Sequence, residues 1–452
     1  MSRLLPTLLL SIVLTTVIAG CSVEPDHAAE PMSFGVLGST CTPERLAALH
    51  EAGVSVVELP VAWDRYQPEA GQENRDYVDE VRARLNDCRQ AGMGVILSPG
   101  LHYPPDWVRD LTGGVLKGSG GDVPKDAGAE LVFSAEVRDA ARKYLVRVAS
   151  DLGFEGITAI RVGTNATGEL GYPGHGDGDG GSEDGGNEDG GSDEEFWAFG
   201  DAPQFGIGLA EGVAPSPMPG WVPGSRSWHG KSVTDEQVQR WWDWYAGSVV
   251  NAVAWQVGEL RTLGFQGRVH VPVAGRGVLP ADKAEAVKGR LDGRANPDGA
   301  QERGLDYAAQ FAVLATLTGV DVDFTGLDDV SDVRARAAVP PQDQCQPGDD
   351  DVVLLGDVSS WSSHRYTSAL ARRAGLGLVG ENPGPPDSPF TGGSPESHSL
   401  AEQMGTAPRY AVECGMAMFL FGFEENLFED DDRAGSGFAL EDYKEVIEGI
   451  HR

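Results

Sequence analysis

Basic residues are scarce in this sequence. Its 452 residues include 69 Asp and Glu but only 35 Lys and Arg, which gives a formal net charge of −34 at pH 7. Proteins that bind nucleic-acid backbones cluster Lys and Arg against the phosphates, so this balance argues against a nucleic-acid partner. We expect the excess of acid to act on solubility and ligand steering, and to say little about the fold.

The apolar run at the amino terminus is short for a membrane-spanning helix. It reads LLPTLLLSIVLTTVIAG after Arg3 and leads into a polar segment, as in a secretory signal peptide. The residues at 17–21, VIAGC, resemble the lipobox of bacterial lipoproteins. The resemblance implies a signal peptide over 1–20, a tether over 21–32, and lipidation of Cys21 that anchors the protein to the cell membrane, facing the outside. An ordinary signal peptide cut nearby is the alternative.

Cysteine is also sparse. Apart from Cys21, the chain has Cys41, Cys88, Cys345 and Cys414, an even number in an oxidising compartment. Our first choice among the three connectivities pairs Cys41 with Cys88 and Cys345 with Cys414, because the first two lie at the ends of neighbouring predicted helices. No CxxC or His-rich spacing indicates zinc, so we expect no metal and no other cofactor.

Short β runs alternate with amphipathic helices from residue 33 onward. The first helix is marked by Thr42 as N-cap and Pro43 at its first position. Eight β runs with helices between them are typical of the α/β class, here a (β/α)8 TIM barrel. The predicted strands lie in FGVLG, VSVVELPV, MGVILSPG, ITAIRVG, RVHVPVAG, VDVDFTGL, LGLVGEN and AMFLFGFEEN.

Two segments stand outside this eightfold repeat. Residues 352–358, VVLLGDV, form a ninth apolar run, which is either an extra strand in a long loop or a replacement for one of the eight. Residues 176–195 are rich in Asp, Glu and Gly and contain no Lys or Arg, so they cannot bury apolar surface. We predict one barrel domain over 33–452, with this acidic segment as a disordered insertion after strand four.

Carboxylates and aromatic side chains follow the predicted strands, where the active site of a barrel forms. Hydrolysis of a glycosidic bond needs one carboxyl group to protonate the leaving oxygen and a second to attack or to activate water, while aromatic rings stack on sugars. Arg161 is expected either in a salt bridge inside the barrel or on a sugar hydroxyl. The candidate site residues are the carboxylates Glu169, Asp328 and Glu381, and the substrate contacts Trp63, His102, Trp107, Asn165 and Phe423.

Three segments resemble known glycosidases. Residues 62–97, followed by YPPDWV, are similar to the second and third βα units of the family 42 β-galactosidases, with Trp63, Pro68 and Gly71 in the shared turn. GELGYP at 168–173, with WAFGDAPQFG beyond it, is similar to the segment of β-amylases, family 14, that carries the general acid. GLVGENPG at 377–384 resembles the strand-seven region of both groups.

The resemblance implies that Glu169 is the acid and Glu381 the nucleophile. In the retaining clan an Asn directly precedes the strand-four Glu, whereas here Gly168 does and the nearest Asn is Asn165. The β-amylase pattern offers Asp328 in DFTGLDD as a competing second carboxylate. A pair about 5–5.5 Å apart retains the anomeric configuration and a pair about 6.5–9.5 Å apart inverts it.

The sequence therefore predicts a lipid-anchored O-glycosidase. Its expected partner is a carbohydrate, either a β-galactoside-like or an α-glucan-like saccharide. The alternative is a barrel lipoprotein that binds saccharide at the cell surface without cleaving it, because a fold does not fix a function.

Overall fold

The structure is a computed structural model that describes residues 31–121, 123, 128–174, 195–294, 299–328, 344–385, 398–428 and 438–452. Met32–Arg452 form one compact unit. The predicted signal peptide, Cys21, nearly all of the tether and residues 176–194 of the acidic insertion lie outside the described residues. In the described part of the chain no helix combines the length and the hydrophobicity needed to cross a membrane.

Eight parallel strands close into a barrel in which each strand lies beside its neighbour in the chain. The last strand pairs with the first, with Ser33 opposite Met418, and this pairing closes the barrel. The prediction of a (β/α)8 barrel is confirmed. The barrel strands are β1 Ser33–Val36, β2 Val56–Pro60, β3 Gly94–Ser98, β4 Ile157–Arg161, β5 Arg268–Val273, β6 Val320–Phe324, β7 Gly377–Glu381 and β8 Met418–Phe421.

Helices connect the strands and cover the outside of the barrel. The described helices of eight or more residues are α1 Pro43–Glu51, α2 Arg75–Gln90, α3 Ala135–Leu152, α4 Asp235–Thr262, α5 Pro280–Gly289, α6 Tyr307–Leu314, α7 Ser363–Ala374, α8 Leu400–Glu413 and α9 Leu440–Ile450. The shorter ones are Trp63–Tyr66, Asp106–Arg109, Asp201–Phe205, Asp349–Val352 and Glu425–Phe428. A small antiparallel hairpin pairs Ser227–Trp228 with Lys231–Ser232.

Capping residues set the starts of several helices. Ser134 accepts a hydrogen bond from the amide of Val137, and Thr234 forms a capping box with Gln237. Thr42 occupies the predicted N-cap position, but its hydroxyl makes no capping hydrogen bond. The proline after it fixes the backbone of the first turn of α1 instead.

The ninth apolar run is not a barrel strand. Val352 is the last residue of the helix Asp349–Val352, and a turn follows it. The eight predicted β runs therefore all keep their places in the barrel. Leu355 in this segment is 82% exposed, so its hydrophobicity reflects no core position.

The interior of the barrel changes from apolar to charged toward the carboxyl ends of the strands. Alternate residues of a strand face the same side. Two residues beyond inward-facing apolar side chains of β2, β4 and β7 come Glu58, Arg161 and Glu381, so these three also face inward. The buried apolar layer beneath them consists of Leu37, Val56, Ile96, Ala159, Val379 and Leu420.

Two disulfides fasten the helical shell, and both predicted pairs are confirmed. Cys41 follows β1 and bonds to Cys88 of α2, closing a sequence separation of 47 residues. Cys345 bonds to Cys414 at the end of α8, closing a separation of 69. Each bond therefore constrains a long stretch of unfolded chain.

Removing the first disulfide should lower stability without altering the second. Loop-closure entropy for a separation of this size gives a loss of up to about 4 kcal/mol of unfolding free energy for Cys41→Ser with Cys88→Ser. Thermal melts of the double variant and the wild type measure the loss. Peptide mapping without reductant should recover the two linked pairs, and a peptide joining Cys41 to Cys345 would contradict the pairing.

Candidate active site

A cavity of about 500 Å³ opens at the carboxyl ends of the barrel strands. Residues at or after all eight strands contribute to its lining. This volume lies within the range of small-molecule sites. Of the predicted site residues, those that line the cavity are Glu169, Asp328, Glu381, His102 and Phe423.

Glu381 is the last residue of β7 and points into the barrel. Its Oε1 accepts a hydrogen bond from Nη2 of Arg161 at 3.2 Å. Nε of the same arginine lies 3.5 Å from Oδ2 of Asp323, a fully buried residue of β6. Arg161 therefore forms the salt bridge that was one of its two predicted roles, and it does so with two carboxylates at once.

One positive charge is shared among several acids in this part of the barrel. Burial alone would lower the pKa of Arg161, yet Glu381, Asp323 and Glu58 raise it above its ordinary value. Burial raises the pKa of Glu381 to about 8, because Asp323 and Glu169 add to it and Arg161 opposes it only in part. Glu381 is therefore mostly protonated at neutral pH.

The loop after β4 is folded tightly around Glu169. Oδ1 of Asn165 accepts hydrogen bonds from the amide of Glu169 at 2.7 Å and from the hydroxyl of Thr167 at 2.9 Å. Gly163 cannot carry a side chain here, since a Cβ would lie 1.9 Å from the carbonyl oxygen of Gly168. Asn165, predicted as a substrate contact, thus holds the loop and does not line the cavity.

Glu169 forms a salt bridge with Arg303. Its Oε2 accepts hydrogen bonds from Nη2 of Arg303 at 2.9 Å and from the hydroxyl of Thr167 at 3.0 Å. Its Oε1 accepts one from the hydroxyl of Thr325, which follows β6, at 2.8 Å. These three donors together fix the position of the carboxylate.

Asp328 lines the cavity but is held from the side of α8. Its Oδ2 lies 2.7 Å from Nδ1 of His398 and 2.7 Å from the hydroxyl of Thr406. Its backbone adopts a positive φ of 70°, and only 2% of the residue is exposed. Glu381, by contrast, has a buried Oε2 with no hydrogen-bond partner among the described residues.

His102 and Phe423 lie on the cavity wall. The imidazole of His102 packs against Gly168, where an added Cβ would come within 3.1 Å of the ring. Burial, and after it the charge of Arg161, lowers the pKa of His102 to about 4. This ring is therefore neutral near pH 7. Phe423 packs its ring against Gly38 and Gly384.

The structure does not bring Trp63 or Trp107 to the cavity. Trp63 is fully buried and stacks on Tyr144 with ring centroids 5.0 Å apart. Trp107 meets it edge-on and donates from its indole nitrogen to the carbonyl oxygen of Gln67. The short helix Trp63–Tyr66 turns the first ring into the hydrophobic wall, so both indoles serve packing.

Several cavity residues escaped the sequence analysis. Glu58 lines the cavity and accepts a hydrogen bond from the amide of Gly38 at 2.8 Å, and Arg303 and Thr325 hold Glu169. The position of Glu58, two residues after Val56 in a predicted strand, could have identified it as an inward-facing acid, whereas nothing local pointed to Arg303. Among the described residues, no group of three or more His, Cys, Asp or Glu is arranged to hold a metal.

Comparisons with known proteins support the barrel. No protein-family profile and no curated protein matches the chain. The β-galactosidase of the psychrophilic Marinomonas ef1 is 13% identical, with a TM-score of 0.52 over 93% of this chain and 60% of that one. The β-galactosidase of the Antarctic haloarchaeon Halorubrum lacusprofundi is 15% identical, with a TM-score of 0.53 over 93% and 58%.

A third solved structure gives the same result. The β-galactosidase of Bacillus circulans sp. alkalophilus is 13% identical, with a TM-score of 0.52 over 93% of this chain and 56% of that one. The chain thus spans 56% to 60% of the length of these three neighbours. At such identities the likeness establishes the fold alone.

Because the pKa of Glu381 is raised, we expect the stability of the folded protein to depend on pH. Glu381 keeps its proton in the folded protein up to about pH 8, whereas in the unfolded chain it loses the proton near the ordinary pKa of Glu. The free energy of unfolding therefore falls as the pH rises from the ordinary Glu pKa to about 8. Glu381→Gln removes the titration. Its melting temperature should therefore rise relative to the wild type between about pH 5 and about pH 9.

The control for this experiment is Glu51→Gln, at an exposed position of α1. Differential scanning calorimetry of the three proteins across the pH range provides the comparison. If the difference in melting temperature between Glu381→Gln and the wild type stayed constant with pH, Glu381 would be ionised over the whole range from about pH 5 to about pH 9.

Proposed function

We propose that the protein hydrolyses O-glycosidic bonds with Glu169 and Glu381 as its catalytic carboxyl pair. The observation that carries the proposal is their unequal environment within one cavity. Glu169 is held by Arg303 and two hydroxyls, while Glu381 is buried beside an arginine that also serves Asp323. Burial raises the pKa of Glu381, and glycoside hydrolysis requires one carboxyl group that can donate a proton beside a second that attacks or activates water.

The same electrostatics assign the roles. We propose that Glu381 donates its proton to the leaving oxygen and that the Glu169 carboxylate attacks the anomeric carbon or activates water. This order is the reverse of the one implied by the resemblance to family 42 and family 14 enzymes. Burial raises the pKa of Glu381 to about 8, so this carboxyl group has a proton to donate near neutral pH.

We propose a saccharide substrate of the β-galactoside-like class. The three solved neighbours are β-galactosidases, which supports this class over the α-glucan-like one. His102 and Phe423 provide a neutral imidazole and an aromatic ring on the cavity wall, both suited to a sugar. We do not assign Asp328 to the catalytic pair, because its carboxylate is already bonded to His398 and Thr406.

Aryl glycosides with good and poor leaving groups test the function and the roles together. Glu169→Gln should lose at least about 100-fold in kcat/KM on every substrate, because the attacking or activating carboxylate is needed whatever the leaving group. Glu381→Gln should lose a similar factor with a methoxyphenyl leaving group but much less with dinitrophenyl, which departs without a proton. The exposed variant Glu51→Gln serves as the control.

Each other result decides a different point. If the loss depended on the leaving group in Glu169→Gln and not in Glu381→Gln, Glu169 would be the acid and Glu381 the nucleophile, as the resemblance implies. The two residues would still be the catalytic pair. Full activity in both variants would overturn the pair. A wild type that binds saccharides yet hydrolyses none of a broad panel would replace the enzyme with the non-catalytic saccharide-binding barrel.

We also propose that Cys21 carries a lipid that anchors the protein to the outer face of the cell membrane. The support is the sequence VIAGC after an apolar run. The chain expressed in bacteria should incorporate labelled fatty acid and partition into a detergent phase, and Cys21→Ser should do neither. Equal labelling of the variant and the wild type would rule out a lipid on this cysteine.

A further inference from the structure

One arginine of the cavity is not used by the carboxyl pair. Arg276 follows β5, lines the cavity and is only 9% exposed. Its Nη1 donates to the carbonyl oxygen of Ser359 at 3.0 Å. Its Nε is buried and has no hydrogen-bond partner within the described residues. A guanidinium has five N–H donors, so most of its capacity is unused by those residues.

The other cavity cations are each matched to an acid. Arg161 lies against Glu381 and Asp323, and Arg303 lies against Glu169. For Arg276, no carboxylate of the described residues lies within ion-pair distance. The cavity therefore presents one buried positive charge that the described chain leaves uncompensated.

Burying a charge without a partner costs free energy, and buried charges in proteins are normally paired. An anionic group on a ligand would supply the partner that the described chain does not give to Arg276. The planar guanidinium fits a carboxylate better than a single hydroxyl, because it can donate two N–H groups to the two oxygens.

We infer that the cavity takes a glycoside whose sugar carries an anionic group, a carboxylate as in a uronic acid, and that Arg276 binds this group. The inference rests on the proposed hydrolysis and narrows its substrate class. The loop after β5 lies between the loops that carry Glu169 and Thr325, so the charged sugar unit occupies the same cavity as the catalytic pair.

The acidic surface of the protein does not oppose this assignment. The field of surface carboxylates falls off over about 8 Å at physiological ionic strength, whereas Arg276 would contact the ligand at hydrogen-bond distance. A sulfate ester on a sugar has the same anionic chemistry, and the experiment below separates it from a carboxylate.

The test compares nitrophenyl β-galactoside with nitrophenyl β-galacturonide. The two substrates differ only at C6, which is a hydroxymethyl group in the first and a carboxylate in the second. The wild type should turn over the galacturonide with the higher kcat/KM. Arg276→Gln should lower kcat/KM for the galacturonide about 10- to 100-fold, the size of a charge-assisted interaction, and change the galactoside less than about 3-fold. Arg276→Lys keeps the charge without the planar group and should fall between the two.

Arg142→Gln is the matched control, since it removes the same charge from an exposed site on α3 where the arginine pairs with Glu259. It should leave both substrates unchanged. Equal losses on both substrates in Arg276→Gln, or a wild type that favours the neutral galactoside, would overturn the inference while the proposed hydrolysis stands. Preference for a sulfated galactoside over the galacturonide would overturn the carboxylate and assign a sulfate.

If no glycoside is hydrolysed, the proposed hydrolysis is wrong, but isothermal calorimetry still tests the anion site. Free galacturonic acid should bind the wild type more tightly than galactose does, and Arg276→Gln should abolish that difference. Equal binding of the two sugars to the wild type would overturn the anion site.

Discussion

The guanidinium of Arg161 lies inside the barrel among three inward-facing carboxyl groups, those of Glu58, Asp323 and Glu381. Burial raises the pKa of Glu381 to about 8, and the arginine opposes this rise only in part, so Glu381 keeps its proton near neutral pH. Removing the arginine would leave buried carboxylates without a cation, which costs about 3–5 kcal/mol. The charged layer at the carboxyl ends of the strands therefore depends on this single side chain.

Glu169 is held by a different arginine. Its loop folds back on itself through Asn165, and the tight approach at Gly163 leaves no room for a side chain. Arg303 and Thr325 then fix the carboxylate from the neighbouring loops. Since the two carboxyl groups draw on different cations, they can differ in protonation at the same pH while they line the same cavity. The proposed division of labour follows from this separation.

The barrel and its eight strands follow from local patterns, alternation and helix periodicity. Cysteine parity predicts two disulfides, and the place of Cys41 and Cys88 at the ends of neighbouring predicted helices favours the observed pairs among the three connectivities. The sequence also placed Glu169 and Glu381 at one rim, since both follow β runs of a parallel barrel. Position after a strand predicts the cavity for the indoles of Trp63 and Trp107, but each lies on a short helix of its own, and both rings pack in the wall. The partners of Glu169, and the lack of a carboxylate beside Arg276 within the part of the chain that the structure describes, depend on contacts between distant segments, which no local pattern records.

Neutron diffraction of the protein near neutral pD tests most directly whether the two carboxyl groups are divided in this way, because it locates the exchangeable deuterons themselves. Our account predicts a deuteron on the carboxyl group of Glu381 and none on that of Glu169. A deuteron on Glu169 with Glu381 ionised would contradict it.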